Sequence, residues 1–282
     1  MDRHGGANVA FVKMHGLGND FVIIDGRENG FSPNFRMRIA IADRHRGIGC
    51  DVLVVLEAPT AAADVLMRIY NPDGSATGAC GNVTRCVAQL LFRTTGRTRC
   101  VIQTEAGLLE SWAAGDGRVA VDMGVPRVAW QEIPLSGPMD TLAVALSMDE
   151  LPAPCCVGMG NPHAVFFVDD VAAVALAAVG PRLENHALFP ERCNIEFVQI
   201  LHRSHFRMRV WERGAGITQA CGSGACATVV AAARRGLGER SAVVTLDGGD
   251  LYIEWRSDNH VVMSGPTALV FSGELVIASL EC

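Results

Sequence analysis

The apolar residues of this chain form short runs that recur in the same order in its two halves. FVIIDG at 21–26 and AVFFVDD at 164–170 are rich in β-branched and aromatic residues and end in turn residues, which is typical of short strands. MRIY at 67–70 and MRVW at 208–211 alternate apolar and polar positions before glycine-rich turns, which again indicates strands. The pattern predicts two similar sets of strands.

Each set is followed by an amphipathic segment that opens after an Ala-Cys-Gly sequence. NVTRCVAQLLFRT begins one residue beyond Gly81, and SGACATVVAAARR begins one residue beyond Gly222. Both segments predict helices, with Gly96 and Gly236 at positions where glycine ends a helix. A further segment, DDVAAVALAAVGP at 169–181, predicts a helix that starts at the aspartates and stops at Gly-Pro.

The repetition extends over most of the chain. MRIYNPDGSATGACGN from Met67 aligns without a gap with MRVWERGAGITQACGS from Met208, GLGND matches GMGNP, and TEAGLLESW matches TLDGGDLYIEW. Shared order and spacing indicate an internal duplication. We therefore expect an α+β fold of two pseudo-symmetric β/α domains, each a mixed sheet or barrel wrapped around a central helix. The expected domains are 1–125, completed by 267–282, and 126–266.

Composition excludes several classes of function. The net charge is −6 and no basic block occurs, so no nucleic-acid partner is expected. The N-terminus lacks the apolar core of a signal peptide, and VAAVALAAVG at 171–180 is too short to span a membrane. We expect a soluble cytoplasmic protein without a membrane partner, whose first eight residues form a disordered extension.

The chain has ten cysteines and no C-x-x-C pair. Adjacent cysteines such as Cys155 and Cys156 seldom bind one metal ion, so no metal site is expected. Disulfides are not expected in a reducing compartment. Most of the thiols are read as small core residues, namely Cys50, Cys86, Cys100, Cys155, Cys156, Cys193 and Cys226.

Cys80 and Cys221 differ from these thiols because each stands at the predicted start of a helix. The first N–H groups of a helix are unpaired and carry partial positive charge, which favours a bound carboxylate and a thiolate. A pseudo-twofold axis would bring two such thiols face to face. One could then remove a proton from a carbon while the other returns one to the opposite face, which inverts the centre. This chemistry needs no cofactor, and neither a Walker loop nor a Rossmann fingerprint is present.

The motifs also carry a family resemblance. KMHGLGNDF, RHRGIGCD, YNPDGSATGACGN, GNPHAVFFVDD, ERCNIEFVQ, WERGAG and ACGSGACA resemble the signature blocks of the diaminopimelate epimerase family, in family order over nearly the whole chain. The resemblance implies a cofactor-independent epimerase that interconverts LL- and meso-diaminopimelate for lysine and peptidoglycan synthesis. It also implies a homodimer whose ligand is a small amino acid.

Carried over by motif, the family's acid/base pair falls on Cys80 and Cys221. The N–H groups implied at the reacting carboxylate belong to Gly81, Asn82, Gly222 and Ser223. The residues implied at the distal amino-acid end are Asn71, Asn161, Asn194 and Arg213, where arginine offers a two-pronged grip on a carboxylate. Asn19 is implied to line the site. The residues implied near the thiols, where they help to set protonation, are His163 and Glu212, and Glu212 is also counted with the substrate-binding residues.

Two departures from the family pattern leave alternatives open. Val83 stands where the family usually has glycine, and Val52 where it usually has glutamine. The first is expected to narrow the pocket or change backbone freedom, and the second removes a polar group near the ligand. One alternative is therefore a racemase of the same fold for another amino acid. Others are a thiol redox or sensor protein and a binding module without catalysis, and Asn71 could equally serve to cap the turn NPDG.

Overall fold

The computed structural model describes residues 8–78, 80–146, 148 and 151–280. The extension predicted for the first eight residues lies outside these ranges, apart from Asn8, with which the first strand begins. The chain divides into two compact units. The first unit is formed by Met1–Val119 with Pro266–Cys282, and the second by Ala120–Gly265.

Strands dominate both units. The strands are β1 (Asn8–Gly16), β2 (Asn19–Asp25), β3 (Val52–Glu57), β4 (Val65–Tyr70), β5 (Ala76–Thr77), β6 (Arg99–Thr104), β7 (Gly107–Ala113), β8 (Val119–Asp122), β9 (Cys155–Gly158), β10 (Pro162–Phe167), β11 (Asn194–His202), β12 (His205–Glu212), β13 (Gly216–Ile217), β14 (Ser241–Leu246), β15 (Gly249–Trp255), β16 (Val261–Gly265) and β17 (Ala268–Val276). The helices are α1 (Phe35–Ala42), α2 (Gly81–Thr95), α3 (Leu176–Glu184) and α4 (Gly222–Arg234), with a short 3-10 helix at Ile277–Leu280.

The first unit is a mixed sheet with α2 packed against it. β1 runs antiparallel to β2 and β17, and β2 runs parallel to β3. β3 is antiparallel to β4, which is antiparallel to β5 and parallel to β6, and β6 is antiparallel to β7. The buried face of α2 contributes Val83, Cys86 and Val87 to one core with Phe21 and Met67. This helix is therefore central to its unit.

The second unit repeats that topology. β9 and β10 are antiparallel, β10 and β11 parallel, β11 and β12 antiparallel, and β12 pairs with β13 antiparallel and with β14 parallel. β14, β15 and β16 continue antiparallel, and β8 pairs with β16. The sequence duplication is thus a duplication of strand pairing, and the predicted fold class is confirmed.

The two central helices end as their sequences indicate, but they differ in burial. Gly96 caps α2 in the left-handed conformation, with φ of 73°, and donates its N–H to the carbonyl of Phe92. In α4 the C-cap is Arg235, and Gly236 follows it in the left-handed conformation, with φ of 69°. Along α4 small apolar residues are buried on every side, as is typical of a helix enclosed by its unit.

The helix predicted over 169–181 is wrong at both ends. α3 begins at Leu176 and continues through Gly180 and Pro181 to Glu184. The helix does not end at Gly180. A Cβ at this position would lie 2.5 Å from the ring of Trp211. The glycine is required for close packing of α3 against this ring, and the helix passes through it.

Seven thiols lie in the interior as predicted, since Cys50, Cys86, Cys100, Cys155, Cys156, Cys193 and Cys226 are all buried. Among the described helices, none has the length and apolar character needed to cross a membrane.

Burial of these thiols predicts a loss of stability at high pH. Desolvation raises the pKa of Cys86 from 9.0 to about 12. Between these values the unfolded chain has lost a proton that the folded chain keeps, so the free energy of unfolding falls as pH rises above 9. One such thiol contributes about 1.4 kcal/mol per pH unit. Urea unfolding between pH 9 and pH 10.5 measures how steeply the free energy of unfolding falls with pH. For Cys86→Ala this fall should be smaller by about 1.4 kcal/mol per pH unit. Equal slopes for both proteins would contradict this.

Candidate active site

In the first unit, Cys80 is the N-cap of α2. Its backbone is extended, with φ of −151° and ψ of 108°. Its carbonyl accepts hydrogen bonds from the N–H and the hydroxyl of Thr84 at 3.1 and 2.9 Å. The thiol is half-buried. Gly81 and Asn82 are the first helical residues, whose N–H groups have no acceptor within a helix. Ala79, the first residue of this Ala-Cys-Gly sequence, lies outside the described residues.

A chain of hydrogen bonds fixes the amides beside this helix start. Arg85, which is fully buried, donates to Asn82 Oδ1 at 3.0 Å. Asn82 Nδ2 donates to Asn19 Oδ1 at 3.3 Å, and Asn19 Nδ2 donates to Asp51 Oδ2 at 3.0 Å. Because a guanidinium only donates and a carboxylate only accepts, both amides have a single orientation. The structure thus brings the side chains of Asn19 and Asn82 together beside the start of α2.

The acceptor end of this chain is anchored by charges. Arg44 lies 2.7 Å from a carboxylate oxygen of Asp51 and 2.7 Å from one of Asp20, and Lys13 pairs with Asp20 at 2.5 Å. Burial opposes the ionisation of Asp20, but hydrogen bonds from Arg44 and Lys13 outweigh it and lower the pKa of this carboxyl well below 3.8. Asp51 is thereby held in place to receive the amide of Asn19.

Asn71 lies in the turn after β4. Its side chain donates to Ser75 Oγ at 3.0 Å, and its backbone N–H donates to the carbonyl of Ser75 at 2.8 Å. The turn-capping role is therefore present in this structure.

The two departures from the family pattern lie in the core. Val83 has no exposed surface, and Val52 is buried in the same cluster. The side chain of Val83 packs in the core cluster of the first unit, against which Cys80 also packs, and its effect on the pocket or on backbone freedom stays a prediction.

In the second unit, Cys221 is the N-cap of α4, with φ of −119° and ψ of 108°. The thiol is buried and accepts from the N–H of Gly224 at 3.4 Å. Ser223 Oγ lies 3.6 Å from the sulfur. Burial, followed by the charges of Glu212 and Glu196, raises the pKa of Cys221 well above 9.0. Cys221 therefore rests as the neutral thiol.

Glu212 and Arg213 end β12 and begin the loop before α4. Glu212 accepts from the hydroxyl of Thr218. The N–H of Arg213 donates to Asn194 Oδ1 at 3.0 Å, and its guanidinium donates to the carbonyl of Glu191 at 3.1 Å. Asn194 is buried and donates in turn to the carbonyl of Pro162 at 2.9 Å. In this structure Asn194 joins β10 to the backbone of Arg213.

His163 lies beside Asn194 on the neighbouring parallel strand and has no exposed surface. Its Nδ1 is 2.6 Å from Glu196 Oε1, and its Nε2 is 2.8 Å from Asn161 Oδ1. His163 thus links Asn161 to Glu196, and Asn194 links Pro162 to Arg213.

A pocket of about 240 Å³ opens within the second unit, lined by Arg127, Glu132, Pro134, Gly160, Asn161, Pro162, Glu191 and Arg213. Two of the implied distal-end residues, Asn161 and Arg213, share it. An arginine and an asparagine in the lining are suited to a carboxylate ligand, while Glu132 and Glu191 bring the opposite charge to the same pocket.

Several charged residues of these networks are not singled out by the sequence interpretation, among them Glu196, Arg85 and Glu184. Glu196 and Arg85 stand in otherwise apolar segments, and a charge at such a position was a usable signal. Glu184 is buried and accepts from Trp211 Nε1 at 2.7 Å and from the N–H of Gly214 at 2.9 Å. It supports the loop of Arg213, and no local pattern indicated this contact.

Two mixed-sheet units, each with a cysteine at the start of its central helix, form an α+β fold that is also found in a hydroxyproline epimerase from Agrobacterium vitis. That solved structure covers 96% of this chain and 93% of its own, with a TM-score of 0.70 and 12% sequence identity. The family model described as diaminopimelate epimerase matches residues 11–129 and 155–270.

Curated relatives agree with the family model. The chain is 59% identical to a diaminopimelate epimerase of Rhodospirillum centenum over 94% of this chain and 91% of the relative. It is 52% identical to one of Acidiphilium cryptum over 96% of this chain and 97% of the relative. The chain belongs to the diaminopimelate epimerase family and is an isomerase.

Proposed function

We propose that this protein interconverts LL- and meso-diaminopimelate by moving the α-proton with two thiols, in the synthesis of lysine and peptidoglycan precursors. The observation that carries the proposal is the pair of cysteines, Cys80 and Cys221, each the N-cap of the central helix in units of one topology. Membership of the family supports the choice of substrate.

In the proposed mechanism the thiols act on opposite faces of the α-carbon. The thiolate of Cys80 removes the proton, and the thiol of Cys221 donates one to the other face, so that the configuration is inverted. The raised pKa of Cys221 keeps it in the protonated state that the acid requires. In the reverse direction the roles exchange. These steps are proton transfers between sulfur and carbon, and they need no cofactor.

Backbone groups at the helix starts would hold the reacting end. Partial positive charge collects at the N–H groups that begin a helix. These groups belong to Gly81 and Asn82 in α2 and to Gly222 and Ser223 in α4. They would bind the α-carboxylate and stabilise the charge that develops as the α-proton leaves. Asn19, bonded to Asn82, would keep this end of the site in shape.

The distal end of the substrate would be held in the second unit. We propose that Arg213 and Asn161, which share a pocket, bind the second carboxylate, and that Asn194 acts with them by fixing the backbone of Arg213. Asn71 would contribute from the turn after β4. Glu212 would bind the substrate and, with His163, would help to set the protonation of the thiols.

The test is incubation of the reduced protein with LL-diaminopimelate in deuterated water. Deuterium is expected at the α-carbon of the meso product, because the incoming proton comes from a thiol that exchanges with solvent. Absence of incorporation from pH 7 to 9 would contradict the proposal. Equal or faster exchange with another L-amino acid of a test panel would favour the racemase alternative. Activity that appears only after oxidation would favour a redox protein, since proton transfer needs both sulfurs reduced.

We also propose that residues 1–125 with 267–282 and residues 126–266 are the two domains, and that the protein acts as a homodimer in the cytoplasm, where thiols stay reduced. β17 supports the dimer, because Leu269, Val270 and Phe271 are 41 to 55% exposed on a strand paired with β1. Phe271→Glu is expected to reduce the mass in solution to that of one chain in light scattering. A monomeric unsubstituted protein would refute the dimer.

A further inference from the structure

Three hydrogen-bond donors converge on the carboxylate of Glu184, the last residue of α3. Oε2 accepts from Trp211 Nε1 at 2.7 Å, and Oε1 accepts from the N–H of Gly214 at 2.9 Å and from the Arg192 guanidinium at 3.4 Å. An indole N–H, a backbone N–H and a guanidinium can only donate. The side chain is 7% exposed, and burying a carboxylate is costly unless such donors surround it. The position therefore requires a side chain with two accepting oxygens.

The first two donors flank Glu212 and Arg213, which the proposed function places at the substrate. The N–H of Ala215 donates to the carbonyl of Glu212 at 3.1 Å, so residues 212–215 form a four-residue turn. Gly214 is the third residue of this turn and has φ of 77°, the left-handed conformation that glycine adopts in a type II turn. Glu184 therefore holds the chain immediately before and immediately after the two site residues.

The third donor extends this support to the loop before β11. Arg192 has φ of 60°, which is uncommon and costly for a residue other than glycine, and its ion pair with Glu184 helps to hold it there. The carbonyl of the preceding residue, Glu191, accepts from the Arg213 guanidinium at 3.1 Å. Arg213 and Glu191 also line the same pocket. One carboxylate therefore supports both the turn that carries Arg213 and the loop that its guanidinium contacts.

We propose that Glu184 is a positioning residue that fixes the Arg213 guanidinium at this pocket and so sets how tightly the second carboxylate of a substrate is bound. The inference rests on the proposed function, which gives Arg213 that ligand. A two-pronged contact needs the guanidinium and the carboxylate in one plane, so a shift of the turn weakens the contact without removing the charge. Glu184 does not line the pocket, and it acts through the turn and the loop.

Glu184→Gln keeps the shape of the side chain but replaces one accepting oxygen with an NH2 group. Whichever way this amide is turned, the NH2 group faces a donor that needs an acceptor. The measured quantity is kcat/KM for α-deuterium exchange of LL-diaminopimelate. It should fall about 10- to 100-fold, the size expected when a binding group is displaced rather than removed.

Two considerations separate this effect from a simple change of charge. Loss of a negative charge near Arg213 would by itself favour a bound carboxylate, so a fall in kcat/KM has the opposite sign. The matched control is Glu254→Gln, which removes an exposed carboxylate from β15 of the same unit. It should leave kcat/KM within about twofold of the unsubstituted value, as is usual for surface substitutions.

A double-mutant cycle identifies the route. In an Arg213→Met background, Glu184→Gln should leave the remaining kcat/KM unchanged, because the group that Glu184 positions is gone. An unchanged kcat/KM in the single variant overturns the inference. An equal fall in both backgrounds also overturns it, since a general loss of packing would act without Arg213.

If Glu184→Gln does not fold by circular dichroism, Trp211→Phe takes its place in the same cycle. This variant removes the indole N–H from the carboxylate and keeps an aromatic ring against α3. A fall in kcat/KM that occurs only when Arg213 is present supports the inference, and any other result overturns it. Absence of LL-diaminopimelate turnover in the unsubstituted protein would instead refute the proposed function.

Discussion

Cys80→Ala and Cys221→Ala are each expected to lower the conversion of LL- to meso-diaminopimelate by at least about 10³-fold, because acid or base catalysis at carbon is lost on one face. Chiral separation of the product measures conversion. Deuterium exchange measured in parallel should fall less in at least one variant, since a surviving thiol can still exchange a proton on its own face.

The matched controls are buried cysteines of the same helices. Cys86→Ala in α2 and Cys226→Ala in α4 remove a thiol of the core without touching the helix start. Both are expected to keep conversion within about threefold of the unsubstituted rate, apart from the small cost of a lost sulfur in the core. Comparable losses in the controls and in the two N-cap variants would show that the effect comes from packing and would remove Cys80 and Cys221 from the mechanism.

Arg213→Met is expected to lower kcat/KM for diaminopimelate by about 10²- to 10³-fold, because it removes a two-pronged, charge-assisted contact with the distal carboxylate. Steady-state kinetics of the purified variant give this value. Arg213→Lys should recover only part of the loss, since a lysine offers a point charge without the planar fork.

The control for Arg213 is an arginine elsewhere in the second unit. Arg256 pairs with Asp258 at 2.5 Å on the surface, and exposed pairs of this kind contribute little. Arg256→Met should therefore leave kcat/KM and stability close to those of the unsubstituted protein. If Arg213→Met behaves in the same way, Arg213 does not bind the substrate.

The strands and the two central helices could be predicted because their patterns are local. Alternation in MRIY and MRVW and the glycine after α2 are properties of a few adjacent residues. α3 was misread because Gly180 is fixed by the ring of Trp211, a contact between residues far apart in sequence. A local rule treats such a glycine as the end of a helix, while packing requires it within one.

Residues of the candidate site could be predicted where they belong to a sequence motif. The residues that hold them in place could not, because their contacts form only when the chain folds. Asn19 and Asn82 carried signals of their own, whereas Asp51 and Arg85 acquire their roles only when β2, β3 and α2 meet. The consequence of Val83 likewise depended on the direction of one side chain in α2. The structure buries this side chain in the core of the first unit, which the sequence pattern left open.

Gly224 leaves room for the Glu196 carboxylate, because a Cβ there would lie 2.7 Å from Glu196 Oε1. This contact links two choices of residue. Any side chain at position 224 would need the space of the Glu196 carboxylate, and any replacement that fills this space must suit the helix start that carries Cys221. Engineered variants of this unit should therefore accept alanine at 224 far more readily when a glycine or another small residue replaces Glu196. The residue accepted at 224 therefore depends on the residue at 196, although one position lies in a strand and the other in a helix.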